Sequence, residues 1–120
     1  MKQKIGDEIP FRWGGQELFR WGLKDMVTCH EERDVDDGHW TWTYALQLLQ
    51  AIDNHSIEDQ VRLAYWVKTP KNPNWDKFGQ FAATLREETF LQLITQAIAQ
   101  GFFTDDFVRE LKGRLGTYKL

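Results

Sequence analysis

The chain is poor in the residues that usually staple or catalyse. It has one cysteine, Cys29, in 120 residues, so no internal disulfide can form, and a reducing, cytoplasmic setting is the expectation. Serine is reduced to Ser56, which argues against a serine-nucleophile enzyme. No stretch approaches 18 consecutive apolar residues, so no helical membrane span is expected. The opening Met1-Lys2-Gln3-Lys4-Ile5-Gly6-Asp7-Glu8 lacks the apolar core of a signal peptide. The glycine pair Gly14-Gly15 has neither the lysine nor the spacing of a phosphate loop. Net positive charge is missing as well: the formal charge is −3, whereas a domain that grips nucleic acid usually carries a basic balance or stripe.

What is present suits one globular domain. Hydrophobic residues make up 42% and charged residues 28%, outside the range of a disordered chain. A domain of this size buries enough surface to need no metal or disulfide. The aromatic load stands out, with 6 tryptophans, each able to bury on the order of 150–250 Å².

Apolar spacing at i, i+3 and i+4 predicts helices over much of the chain. One spans about Gln16–His30, with Leu18, Phe19, Leu23, Met26 and Val27 on its stripe. A second spans about His39–Ile52, with Trp40, Tyr44, Leu48 and Leu49 together and Trp42 pointing away. A third is capped by Ser56 after the turn Asp53-Asn54-His55, a short one covers Trp75–Ala83, and two prolines, Pro70 and Pro73, break the chain between them. Thr84-Leu85-Arg86-Glu87 reads as a capping box for a helix bearing Phe90, Leu91, Ile94, Ala97 and Ile98 and ending at Gly101. Thr104 caps the last helix, with Asp105 and Asp106 in its first turn and Phe107, Val108, Leu111 and Leu115 inward. The expectation is therefore an all-α domain of five or six helices over residues 11–120. It ends in a helical hairpin over about 85–115 and follows a flexible or extended arm, residues 1–10; Phe11–Trp13 can form a short strand, which Gly14-Gly15 stops at once.

The segment Cys29–His39 collects possible metal ligands, but the spacing fails. Counting back from Gly38 as the sixth position of a calcium loop, the ligand positions hold Arg33, Val35 and Asp37. No metal and no cofactor are expected. His30 and His39 sit among carboxylates, which favours charge pairing over acid–base catalysis. Cys29 has the context of a small, partly buried thiol.

A non-enzymatic protein-binding module fits these features best. It would be an adaptor, an assembly factor or an inhibitor of a larger complex, the last including proteins of phages and mobile elements. Between Glu31 and Asp37 lie five carboxylates and one arginine, which suits a partner with a basic surface. The expected binding residues are Asp34, Asp36, Asp37 and Trp42, with Trp21 as a second unplaced aromatic. Two rivals stand beside this reading. One is a helical subunit of a nucleoprotein complex touching nucleic acid through Arg109, Lys112, Arg114 and Lys119. The other is a metal-dependent hydrolase built on His30, His39 and neighbouring carboxylates.

Overall fold

The computed structural model describes residues 3–52, 58–79 and 83–118, apart from the side chains of Trp13, Phe19 and Trp75. It overturns the all-α expectation. Among the described residues, five antiparallel strands in sequential order form one sheet: β1 Glu8–Trp13, β2 Gln16–Val35, β3 Gly38–Ala51, β4 Gln60–Thr69 and β5 Asn72–Phe78. Two helices follow, α1 Glu87–Ala99 and α2 Asp105–Gly116. The helices expected at 16–30 and 39–52 fall within β2 and β3, the latter ending at Ala51, and of the one expected at 75–83 the residues Trp75–Phe78 belong to β5. The third, expected after Ser56, gives way to β4, while Ser56 and the turn 53–55 lie outside the described residues.

Period two explains the reversal. Along Thr41-Trp42-Thr43-Tyr44-Ala45-Leu46-Gln47-Leu48, every second residue is a large apolar one, the alternation of a strand with two different faces. Aromatic and β-branched residues are also dense here, as strands prefer. The same apolar residues satisfy a helical stripe when only i and i+4 are inspected.

The turns carry the rest of the explanation. Gly14 and Gly15 both have positive φ, 60° and 79°, the requirement of the two-residue hairpin turn whose twist matches its strands. The glycine pair that seemed to stop a strand instead joins β1 to β2. Val35 pairs with Gly38 across the next turn, Asp36-Asp37, and Pro70-Lys71 closes the β4–β5 turn, with Thr69 paired to Asn72.

β2 is long enough to serve two neighbours: residues 16–22 pair with β1 and residues 21–35 with β3. The register shifts between Leu23 and Asp25, so Lys24 is the extra residue of a bulge. The bulge resets the alternation and lets Leu23 and Met26 share a face. That face holds Ile9, Trp21, Leu23, Met26 and Leu49 in one apolar cluster and Ala45, Ala64 and Trp66 in another. At its centre Gln47 is fully buried. Its amide donates to Gln3 at 2.8 Å and accepts from Arg62 Nε at 2.8 Å. The Arg62 guanidinium also lies 5.6 Å from the Phe78 ring; burial pushes its pKa down.

The opposite face carries Val27, Tyr44 and Leu46, covered by α1 through Leu93 and Ala97 and by Phe102. α1 ends as the sequence predicts: Gly101 has φ 74°, and the Phe102 N–H reaches the Ala97 carbonyl at 2.9 Å, the bond of a glycine-terminated helix. Its start differs, because the N-cap is Arg86 and no side chain of its own helix caps it. Thr84 serves otherwise; its carbonyl accepts the Tyr44 hydroxyl at 2.6 Å. The expected stripe is also rotated, since Leu93 is 1% exposed while Phe90 is 49% and Leu91 61% exposed. α2 keeps its predicted cap, with Thr104 Oγ1 accepting the Phe107 N–H at 3.2 Å, but buries none of its residues. Its four apolar side chains were expected inward; Phe107 and Leu115 are exposed instead. The helical pair over 85–115 is thus present, with only its first member in the core.

Residues 1–10, expected as an arm, include the first part of β1. Before it, Gly6 N donates to Leu23 O and Leu23 N to Asp7 O, each at 2.8 Å. Both edge strands carry a proline, Pro10 in β1 and Pro73 in β5. Proline removes a donor from an edge and discourages strand addition.

Candidate binding surface

The far end of the β2–β3 hairpin gathers most of the residues singled out by the sequence. Gly38 holds φ 123° at its turn, and a Cβ there would come 2.8 Å from Pro70 Cγ. Close approach of the two turns, 36–37 and 70–71, therefore makes one blunt end.

On the α1 side of this end, Trp40 and Trp42 project together, because residues two apart on a strand share a face. Trp42 thus does not point away from Trp40 and Tyr44, as a helix would have required. The two indoles stack at 5.6 Å with 23° between their planes. Trp40 Nε1 donates to Asp37 Oδ1 at 2.9 Å. Arg33 lies 5.5 Å from the Trp42 ring and donates from Nη2 to Glu31 at 3.1 Å. Glu31 in turn accepts the Arg86 N–H at 3.0 Å. A continuous chain of contacts therefore runs from the turn, through two tryptophans and an arginine, to the start of α1. Both indoles are half-buried; they form a fixed shelf rather than loose side chains.

The other face of the same end is polar. His39 Nδ1 meets Asp34 at 2.7 Å, and its Nε2 lies 3.6 Å from Glu32. The Asp34 hydrogen bond is the main influence raising the His39 pKa. Asp36 is exposed at the turn.

Four of the five expected binding residues, Asp34, Asp36, Asp37 and Trp42, therefore come together. Trp21 does not. It pairs with Ala51 and Ile9, ten residues back along β2 and on the opposite face, packed beside Ile9, Leu23 and Leu49. Trp40, Arg33 and Arg86 complete the surface, with Glu31 buried beneath them; Glu31 and Arg33 belong to the charged segment singled out by the sequence, whereas Trp40 and Arg86 were not named for it. The alternation around Trp40-Thr41-Trp42 was the signal that could have placed the two indoles side by side.

The rival chemistry finds little geometry. His30 Nδ1 and Thr43 Oγ1 share a hydrogen bond of 2.9 Å, while His39 is engaged with Asp34, so the two histidines have separate partners. Among the described residues no group of three or more His, Cys, Asp or Glu side chains could hold a metal. Cys29 is half-buried, its thiol 2.9 Å from Gln92 Oε1, and burial raises its pKa, away from a reactive thiolate. The basic residues Arg109 and Arg114 are taken up by Asp106 and Glu110, each at 2.9 Å, and Lys119 lies outside the described residues. No helix among the described residues is long and apolar enough to cross a membrane.

Compared with protein-family models, curated proteins and solved structures, the chain matches none.

Proposed function

We propose that this protein is a non-enzymatic binding module that engages a basic protein partner through the β2–β3 end. The observation that carries the reading is the stacked Trp40–Trp42 pair, locked by Asp37 on one side and Arg33 on the other. Ordered aromatic side chains surrounded by polar groups are the usual anchors of protein interfaces. They lose little side-chain freedom when a partner arrives. Glu32, Asp34 and Asp36 form an exposed acidic rim, which speeds encounter with a positively charged surface and disfavours nucleic acid. The prolines on both sheet edges turn attention to faces and turns as docking points. The free thiol of Cys29 suits the cytoplasm.

Capture from the native host tests the reading. The unmodified chain, Trp40→Ala, Trp21→Ala and the triple variant D34N/D36N/D37N serve as baits, with circular dichroism as the folding control. A partner held by the unmodified chain and Trp21→Ala, but lost from Trp40→Ala and weakened by the triple variant, is the expected result. Equal retention by all four baits, or capture of nucleic acid in place of a protein, overturns it.

A further inference from the structure

α2 lies at the other end of the molecule from the hairpin turn. Phe107, Val108, Leu111 and Leu115 fall within about 100° of one another around its axis, at the 3.6-residue period, and form one apolar stripe. Phe107 stacks on Phe103 at 4.4 Å, but Leu115 is 62% exposed and nothing on the helix is buried. Beside the stripe opens a cleft of about 690 Å³, lined by Leu48, Val61, Phe102, Phe103 and Phe107 and rimmed by Lys24 and Asp59. An amphipathic helix left uncovered in this way needs an apolar neighbour.

The surface area of the chain leaves room for such a neighbour. The chain exposes 8932 Å², whereas a compact protein of 14.2 kDa exposes about 6,800 Å². Its radius of gyration is 16.6 Å, against about 14 Å for a compact chain of this length. The surplus is about 2,000 Å² over the whole chain, not on α2 alone, and exceeds the roughly 800 Å² that each partner buries in a stable interface.

Charge says what the neighbour is. The ionic side chains of α2 sum to zero, two acids in its first turn and Glu110 later against Arg109, Lys112 and Arg114. Asp106 pairs with Arg109 and Glu110 with Arg114 inside the helix. Asp105 and Lys112 have no ion-pair partner among the described residues. They stand seven residues apart, two turns, on the same flank of the apolar stripe. A helix with these features complements itself when inverted.

We infer that α2 is a homodimerisation helix, paired antiparallel with α2 of a second copy across a two-fold axis. In the register that sets Asp105 against Lys112 of the second copy, the symmetry makes the same contact twice. Leu111 then meets Phe107 of the second copy, and Leu115 reaches its Phe103. The dimer carries one hairpin end on each subunit, so a partner with repeated basic sites is bound by both at once.

Sedimentation equilibrium of the full chain tests this. The unmodified protein has twice the chain mass, and Leu115→Glu shifts it to the monomer while far-ultraviolet circular dichroism stays unchanged. Asp105→Lys alone and Lys112→Asp alone each weaken association about tenfold, since each creates two like-charge contacts. The double variant D105K/K112D restores it, because the exchanged charges complement each other again; a variant that merely misfolds would not be rescued in this way. A monomeric unmodified chain, or a dimer indifferent to both Leu115→Glu and the single charge reversals, overturns the inference and leaves the hairpin reading standing.

Discussion

Glu31 Oε2 accepts the backbone N–H of Arg86 at 3.0 Å, so a carboxylate from the last third of β2 caps a helix 55 residues later in the chain. α1 has no cap of its own, and its first turn holds unpaired N–H groups and the positive end of the helix dipole. Glu31 supplies a negative charge there while only 4% exposed, with Arg33 at 3.1 Å and Arg86 Nε at 3.4 Å around it. Burial is the largest single influence on its carboxyl and pushes the pKa up. The Arg86 N–H, the Thr89 hydroxyl and Arg33 together outweigh burial, and the net pKa is below the ordinary 4.5. A depressed carboxylate adds stability that is fully present above the unfolded-state pKa and is lost as pH falls through the folded one. Glu31→Gln is expected to cost about 1–3 kcal/mol at neutral pH, discounted because both guanidiniums are half exposed to solvent. Urea unfolding of the two proteins at pH 7 and at successively lower pH checks this. The gap should narrow below pH 4.5; a gap constant into strong acid would show that Glu31 acts through shape and not charge.

His39 makes the complementary case. Its hydrogen bond to Asp34, with a smaller contribution from Glu32, raises its pKa above 6.5. The imidazolium–carboxylate pair is present below the unfolded-state value and lost as pH rises through the raised folded one. Proton NMR titration of His39 should give a midpoint above 6.5 in the native protein, and Asp34→Asn should lower it. An unchanged midpoint in that variant would mean the two side chains do not interact in solution.

The C-terminal third was legible in the sequence because its signals are local. Thr104 with Asp105 and Asp106, and Gly101 at the end of α1, act within one helical turn. The sheet was not legible for a physical reason. Tyr44, Leu46 and Leu48 repeat every two residues, yet Tyr44 and Leu48 also fit a helical i, i+4 stripe, and the strand partners that choose between the two lie 13 to 23 residues away. The glycine pair 14–15 and the Asp36-Asp37-Gly38 run were the local clues to hairpins; the first was read as the end of a strand and the second as a calcium loop with the wrong ligands. The acidic cluster was legible as a cluster. What the residues touch was not, since Trp40 meets Asp37 and Arg33 meets Trp42 only once the strands are paired. Trp21 shows the converse: a surplus on a helical wheel, it has a place on a strand, beside Ile9 and Leu49.

The face that α1 presents to the sheet gives a direct stability test. Leu93→Ala removes a side chain that is almost wholly enclosed by Val27, Leu46 and Phe102, and should cost about 2–5 kcal/mol. Phe90→Ala and Leu91→Ala lie on the exposed side and should stay within about 0.5 kcal/mol. Ile94, at the margin of the core, should fall between. Denaturant midpoints of the four variants decide the order, and a larger loss at Phe90 than at Leu93 would place the helix on its other face.

Gly79 donates its N–H to the Tyr65 carbonyl at 2.8 Å, and a Cβ there would collide with the Tyr65 ring. Gly79→Ala must displace an aromatic side chain that packs against Tyr44. Overpacking of this kind should cost about 1–3 kcal/mol. Tyr65→Leu in the same background should recover part of the loss by vacating the space. Failure of that second change to help would locate the strain in the backbone and not in the ring contact.

The indole pair at the hairpin end makes the last prediction, because stability and binding separate there. Trp42 touches the margin of the α1-side core, with Arg33 over its ring, while Trp40 is held by the stack and by Asp37. Full burial of an aromatic would make truncation cost about 3–5 kcal/mol; half-burial sets the expectation for Trp42→Ala at about 1–3. Trp40→Ala, farther from the core, should cost less than Trp42→Ala. If the stack is a real contact in solution, the two losses are not additive, and a double-mutant cycle should give a coupling of about 0.5–1.5 kcal/mol. Partner affinity should follow a different order. A residue at the centre of an interface loses about 2 kcal/mol or more of binding on truncation, so Trp40→Ala, the milder change in stability, should be at least as damaging to binding as Trp42→Ala. Asp37→Asn keeps an acceptor for the Trp40 indole and should spare stability while lowering the association rate through the lost charge. Equal binding by Trp40→Ala and the unmodified chain, with the cycle coupling intact, would make the stack a strut for the hairpin and move the contact surface to the polar face around Asp34 and His39.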